Sequence, residues 1–148
     1  MTPVSPTESL RLLVVHKQTT SARTRFLRFA HGMLAFAPLP DQASVRAADA
    51  AEGDEAAKVI LHPAMALGEA EQRLGLPGGS LALEHGFAIH IDTPQGEMRV
   101  LLAVCQGIDP PFAAAEALGG RFIALTEARG LPAVELQILR RAYEYIIG

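Results

Sequence analysis

The period of the hydrophobic positions changes several times along this chain. Leu12, Leu13, Val14 and Val15 form an unbroken apolar run with β-branched members, which predicts a strand buried on both faces within residues Arg11 to His16. Phe26, Phe29, Ala30 and Met33 then recur at three- and four-residue steps, predicting a helix from Ser21 to Met33. Pro38, Pro40 and the Ala/Asp/Glu-rich stretch up to Ala57 read as a long connection. Lys58 to His62 reads as a short strand closed by Pro63, and Ala64 to Leu74 as a helix braced by Glu69 and Arg73 and stopped by Gly75. Leu76-Pro77-Gly78-Gly79 fits a type II turn; it lacks the Lys-Ser/Thr ending that a phosphate-cradling loop would carry.

The best-defined local pattern runs from Gly86 to Gln106 and predicts a hairpin with Thr93-Pro94-Gln95-Gly96 as its loop. Phe87, Ile89 and Ile91 share one face of its first strand, and Met98, Val100, Leu102 and Val104 share one face of its second. That register sets Asp92 opposite Glu97, Ile91 opposite Met98 and His90 opposite Arg99. The reverse face carries His90, Asp92, Glu97 and Arg99 near the loop, then Ala88, Leu101, Ala103 and Cys105, which need a cover of their own. Asp109-Pro110-Pro111 starts a helix over Phe112 to Leu118, and Gly119-Gly120 ends it.

From Arg121 to Gly148 the pattern predicts two helices broken at Gly130-Leu131-Pro132. On a wheel at about 100° per residue, the second has a narrow polar sector of Gln137, Arg140, Arg141 and Glu144. Apolar residues sweep the rest of it. Such a helix needs partners on two sides, the second being either another helix of the same core or the same helix of a second subunit; in the latter case Leu136, Leu139, Tyr143, Ile146 and Ile147 are the candidates for a two-fold dimer interface. Glu135 projects from the apolar sector, in the first turn after Pro132, where a carboxylate meets unpaired N–H groups. Locally, Ala128-Arg129-Gly130-Leu131 followed by Glu135-Leu136 resembles the first two helices of repressor-type helix-turn-helix domains. Tyr143, Tyr145, Ile146 and Ile147 stand where such a domain would place its reading helix, so nucleic acid is not an expected partner.

These elements specify the α+β class: a small, mostly antiparallel sheet centred on the hairpin at about 86–106, packed by helices on one face that include the C-terminal helical pair. Room remains for one parallel strand. Residues 1–9, rich in Pro, Ser and Thr, read as a disordered tail, and 10–148 as a single domain. Hydrophobic residues at 49% and charged ones at 20% are those of a globular chain, and a net charge of -3 gives no general reason to bind nucleic acid or an anionic membrane. No apolar run is long enough to span a bilayer. Cys105 is the single cysteine, and the N-terminus has no basic stretch leading to an apolar core, so a cytoplasmic protein is expected.

No stretch carries a catalytic, metal or cofactor signature in full, and no cofactor is expected. His90-Ile91-Asp92 puts two ligand-type side chains on one strand face and, with Glu97, partly resembles a cupin metal motif. No histidine follows residue 90, and Arg99 shares the face, so His90 and Asp92 are weak metal candidates and no metal is expected. Charge is segregated: Ser9 to Pro40 has five basic residues and no acidic one, whereas Asp41 to Glu55 has five acidic residues against Arg46. Lys17, Thr20, Ser21, Arg23 and Arg25 crowd the turn between the first strand and the predicted helix, where either Thr20 or Ser21 caps the helix and the arginines pair with the acidic segment after Pro40, or a phosphate or carboxylate meets the helix N-terminus. The expected function is therefore a soluble, non-catalytic binding or interaction protein, homodimeric, whose alternative is an enzyme or sensor acting on a small anionic or phosphorylated ligand at the 17–25 strand-to-helix turn.

Overall fold

The structure, a computed structural model, describes residues 10–17, 24–35, 37–46, 63–94, 96–107 and 110–147. In chain order the elements are β1 (Leu10–Lys17), β2 (Thr24–Arg28), β3 (Leu34–Ala35), β4 (Ser44–Val45), α1 (Pro63–Leu74), β5 (Leu81–Thr93), β6 (Gly96–Cys105), α2 (Phe112–Ala117), β7 (Arg121–Ile123), a 3-10 turn (Leu125–Glu127) and α3 (Ala133–Ile147). Among the described residues the strands make one seven-stranded sheet in the order β4-β5-β6-β1-β2-β7, with β3 also paired to β1. Every pairing is antiparallel except β1 with β6, so the fold is α+β with a mixed, mostly antiparallel sheet.

The unbroken apolar run of β1 is explained by two cores. Leu13 and Val15 point to the side covered by α3, while Leu12 and Val14 point to the side covered by α1 and α2. Helices therefore lie on both faces of the sheet, not on one as the sequence led us to expect. The second layer covers Leu101, Ala103 and Cys105, whose outward position on β6 required a cover.

The hairpin has the register read from the sequence, with Asp92 opposite Glu97, Ile91 opposite Met98 and His90 opposite Arg99. Its first strand is longer, beginning at Leu81, and it is interrupted by an irregularity between Leu83 and Ala88. Gly86 lies within that break, where a Cβ would stand 2.6 Å from the Tyr145 hydroxyl, so the gap in the strand accommodates the end of α3.

Three segments depart from the sequence expectation. Thr24 to Arg28 is a strand, not part of a helix, because β1 needs a hydrogen-bonding neighbour along this edge, and Phe26 and Leu27 fill opposite cores. The chain then closes a tight turn, with Phe29 N–H donating to Gly32 O at 2.7 Å, before β3 resumes pairing with β1. Residues 121–123 form the edge strand β7 rather than a helix, so the C-terminal pair is a 3-10 turn followed by α3. The local likeness to a helix-turn-helix stops there, since a strand and a 3-10 turn stand where its first helix would be. The glycine turn sits one residue later than expected: Ser80 N–H donates to Pro77 O at 3.2 Å, with Gly79 at φ +89°. The strand expected at Lys58 to His62, the cap at Asp109 and the tail at 1–9 lie outside the described residues. Among the described residues, no helix is long and apolar enough to cross a membrane.

Candidate anion-binding cleft

At the β7 edge of the sheet, on the face that α3 covers, the antiparallel register sets Arg28 directly opposite Arg121. Both share the parity of the core residues Phe26 and Ile123, which fixes the face they stand on. Directly opposed side chains on neighbouring strands have Cβ atoms about 4.5–5.5 Å apart, and like charges there repel. The arrangement costs stability unless a counter-charge offsets it.

The backbone around them is built for close approach. Gly119, at φ +75°, ends α2, and Gly120 N–H donates to Ala115 O at 2.8 Å, turning the chain sharply into β7. A Cβ on Gly120 would stand 2.5 Å from Arg28 O, so only glycine lets the two backbones meet here. The 3-10 turn after β7 carries Glu127, whose Oε1 accepts the Ala124 N–H at 2.8 Å, and it leads on to Arg129. Together Arg28, Phe29, Ala30, Gly119, Gly120, Arg121, Glu127 and Arg129 line a cleft of about 440 Å³. Among the described residues, none of its three arginines has an ion-pair partner within 4.0 Å. Among the described residues, the lining thus holds three arginines and one carboxylate residue.

Of the residues singled out for anion binding from the sequence, the structure describes two, Lys17 and Arg25, both in the β1–β2 ladder. Lys17 Nζ pairs with Glu84 Oε2 at 3.2 Å at the end of β1. Arg25 lies opposite His16 in the β1–β2 ladder, and Thr20, Ser21 and Arg23 fall outside the described residues. The helix expected from Ser21 to Met33 is corrected: where the described chain resumes at Thr24 it is β2, a strand paired antiparallel with β1. His16 is buried, its Nε2–H donating to Gly107 O at 2.9 Å.

The polar face of the hairpin forms a network in which Arg46, next to β4, is the centre. Its guanidinium binds Asp92 in a two-pronged contact at 2.6 and 3.3 Å and reaches Glu97 at 3.2 Å. His90 Nδ1–H donates to the same Glu97 oxygen at 2.6 Å. The hydrogen bond from His90 holds the Glu97 carboxyl below its ordinary range, and the one from Arg46 does the same for Asp92. A guanidinium fills the position between Asp92 and Glu97 that a cation would need. Among the described residues no group of three His, Cys, Asp or Glu side chains could hold a metal. Nη2 of Arg99, on the same face, is buried without a hydrogen-bond partner.

The sequence matches no protein-family model and no curated protein.

Two further features bear on chemistry. A second cleft, of about 330 Å³, is lined by Leu76, Ser80, Cys105, Gln106, Gly107 and Pro111. Burial pushes the Cys105 thiol up to about 12, so at neutral pH it is a packed thiol and no nucleophile. On α3, Leu139 is wholly enclosed by this chain's own core, while Leu136, Tyr143 and Ile146 keep part of their surface. The Ile147 side chain lies outside the description. Tyr145, 40% exposed, packs edge-on against Phe87 at 5.5 Å. The cleft itself was missed from sequence: its arginines lie in three separate segments, and the opposition of Arg28 and Arg121 depends on a three-residue strand.

Proposed function

We propose that this protein is a non-catalytic binding module for a small anionic ligand, held by Arg28, Arg121 and Arg129. The observation that carries this reading is the opposition of Arg28 and Arg121 on adjacent strands in a cleft that adds Arg129. Such a geometry disfavours the empty protein, and an anion bridging the guanidinium groups would relieve it. Binding rather than catalysis is supported by the lining, which among the described residues includes no histidine, cysteine or hydroxyl side chain. Phosphate titrated while the arginine Nε–H NMR signals are followed tests the reading. Saturable shifts confined to these three residues, lost in Arg28→Gln, support it; shifts spread evenly over all arginines sink it.

Self-association through α3 is a second part of this reading, supported by the partly exposed Leu136, Tyr143 and Ile146 and by the exposed ring of Tyr145. A two-fold contact on this helix would bury those residues against their own counterparts. Light scattering on a sizing column decides it, and a monomer at micromolar concentration would refute it. A cytoplasmic location goes with the same reading, supported by a lone cysteine that can form no internal disulfide.

A further inference from the structure

We infer that the ligand of this cleft is a small-molecule phosphomonoester bound as its dianion. The inference rests on the anion-binding reading and adds the charge and class of the ligand. Among the described residues, three arginines against the one carboxylate of Glu127 leave two positive charges to be matched. A monocarboxylate or sulfate ester would leave one of them unbalanced; a phosphomonoester, with a charge of about -1.5 to -2 at neutral pH, matches both.

Geometry points the same way. Arg28 and Arg121 rise side by side from neighbouring strands, and Arg129 comes from the segment after the 3-10 turn. Their donors therefore start from separate backbones around one cleft. Guanidinium forks pair with phosphate oxygens in a planar, two-pronged fashion, and a phosphomonoester offers three terminal oxygens where a carboxylate offers two. The volume of about 440 Å³ leaves room for an organic group beyond the phosphate, within the size range of small-molecule sites.

Glu127 sets the upper limit. Its Oε1 is held at 2.8 Å by the Ala124 N–H, which fixes the carboxylate on the cleft wall. A diphosphate would bring more negative charge than the three arginines neutralise once Glu127 is counted. The organic part of a monoester can instead present a hydroxyl or amine to that carboxylate.

Calorimetric titration of the full chain with methyl phosphate, methyl sulfate and pyrophosphate between pH 5 and 8 tests the inference. Methyl phosphate should bind about tenfold more tightly at pH 7.5 than at pH 5, because its second proton leaves near pH 6. Methyl sulfate, a monoanion of nearly the same shape, should bind more weakly and with no such gain. It also controls for His31, whose ring stacks on the cleft residue Phe29 with centroids 5.4 Å apart. Arg129→Gln should remove most of the preference for methyl phosphate, and Glu127→Gln should strengthen both ligands. Equal, pH-independent binding of the two esters would overturn the dianion inference and leave the anion-binding reading intact, whereas binding of neither would overturn both. Pyrophosphate binding more tightly than methyl phosphate would overturn the monoester assignment. A phosphoserine peptide binding tenfold more tightly than free phosphoserine would overturn the small-molecule assignment in favour of a protein partner.

Discussion

Glu135 Oε1 accepts the backbone N–H of Met33 at 2.9 Å, joining residues 102 apart in sequence. The carboxylate is 2% exposed and stands in the first turn of α3, so it meets the helix's positive end as well as this donor. It fastens α3 to the turn that separates β2 from β3. That attachment explains why a charged residue interrupts the apolar sector of the helix. Glu71 does comparable work on the other face, where its Oε2 accepts the N–H groups of Gly79 and Leu81, both at 3.0 Å, and ties α1 to the start of β5.

Replacing Glu135 by Ala should leave the Met33 N–H buried without an acceptor, at a cost of about 1–3 kcal/mol. Glu135→Gln keeps an oxygen acceptor and should lose less. Urea denaturation of the two variants measures the difference. Equal stabilities for Ala and Gln would show that the contact to Met33 contributes nothing.

Gly32 is the other half of this attachment. Its φ is +143°, and a Cβ would stand 2.7 Å from Glu135 Oε1. Gly32→Ala thus meets both backbone strain and a clash with a carboxylate held in place. A loss of roughly 1–3 kcal/mol is expected from the backbone alone. The double variant Gly32→Ala/Glu135→Ala should be less unstable than the sum of the two single changes, because the clash disappears with the carboxylate.

How much of this was legible depended on whether a segment faces one environment or two. The hairpin register could be read because Thr93, Pro94 and Gly96 mark the loop and, next to it, each strand carries its apolar residues on one parity. β2 could not. Phe26 and Leu27 enter opposite cores and Phe29 begins a turn, which erases parity and leaves a spacing that mimics a helix. β7 shows the same limit in a shorter form, with Phe122 in one core and Ile123 in the other. A segment this short takes its conformation from the edge of β2, which no local pattern reports. The cleft followed from β2 and β7, so misreading both as helices hid the opposition of Arg28 and Arg121. The HxD motif was legible as a surface feature, but Arg46 lay in a segment taken for a connection, so its pairing with Asp92 was not.

Cys105 gives a pH dependence with a definite sign. Burial raises its thiol to about 12, whereas an unfolded thiol ionises near pH 8.5. Protons are then retained by the folded state and lost by the unfolded one. This contribution to stability is fully present below about pH 8.5 and is lost as pH rises through the folded value, with a slope approaching about 1.4 kcal/mol per pH unit. Urea unfolding from pH 7 to 10.5 should show a steeper decline for the native protein than for Cys105→Ala. Parallel curves would mean that the thiol ionises in the folded state, and iodoacetamide should then label it without denaturant.

The like-charge pair in the cleft predicts a trade of stability against binding. Arg121 lies directly opposite Arg28 in the β2–β7 ladder and is itself exposed, so replacing it disturbs no core packing. Arg121→Gln removes a cross-strand repulsion while keeping a long side chain at the site. The ligand-free variant should therefore be more stable than the native protein, by about 0.2–1 kcal/mol at low ionic strength. Salt should shrink that gain, because it screens the repulsion in the native protein. The same substitution should weaken phosphate binding, since one of the guanidinium forks is gone. Thermal unfolding in low and high salt, with and without phosphate, separates these effects. A gain in stability accompanied by undiminished phosphate affinity would mean that the repulsion is real but serves no ligand. Lower stability in the absence of ligand would mean that Arg121 is held by contacts within the protein, and the electrostatic argument for the cleft would fall with it.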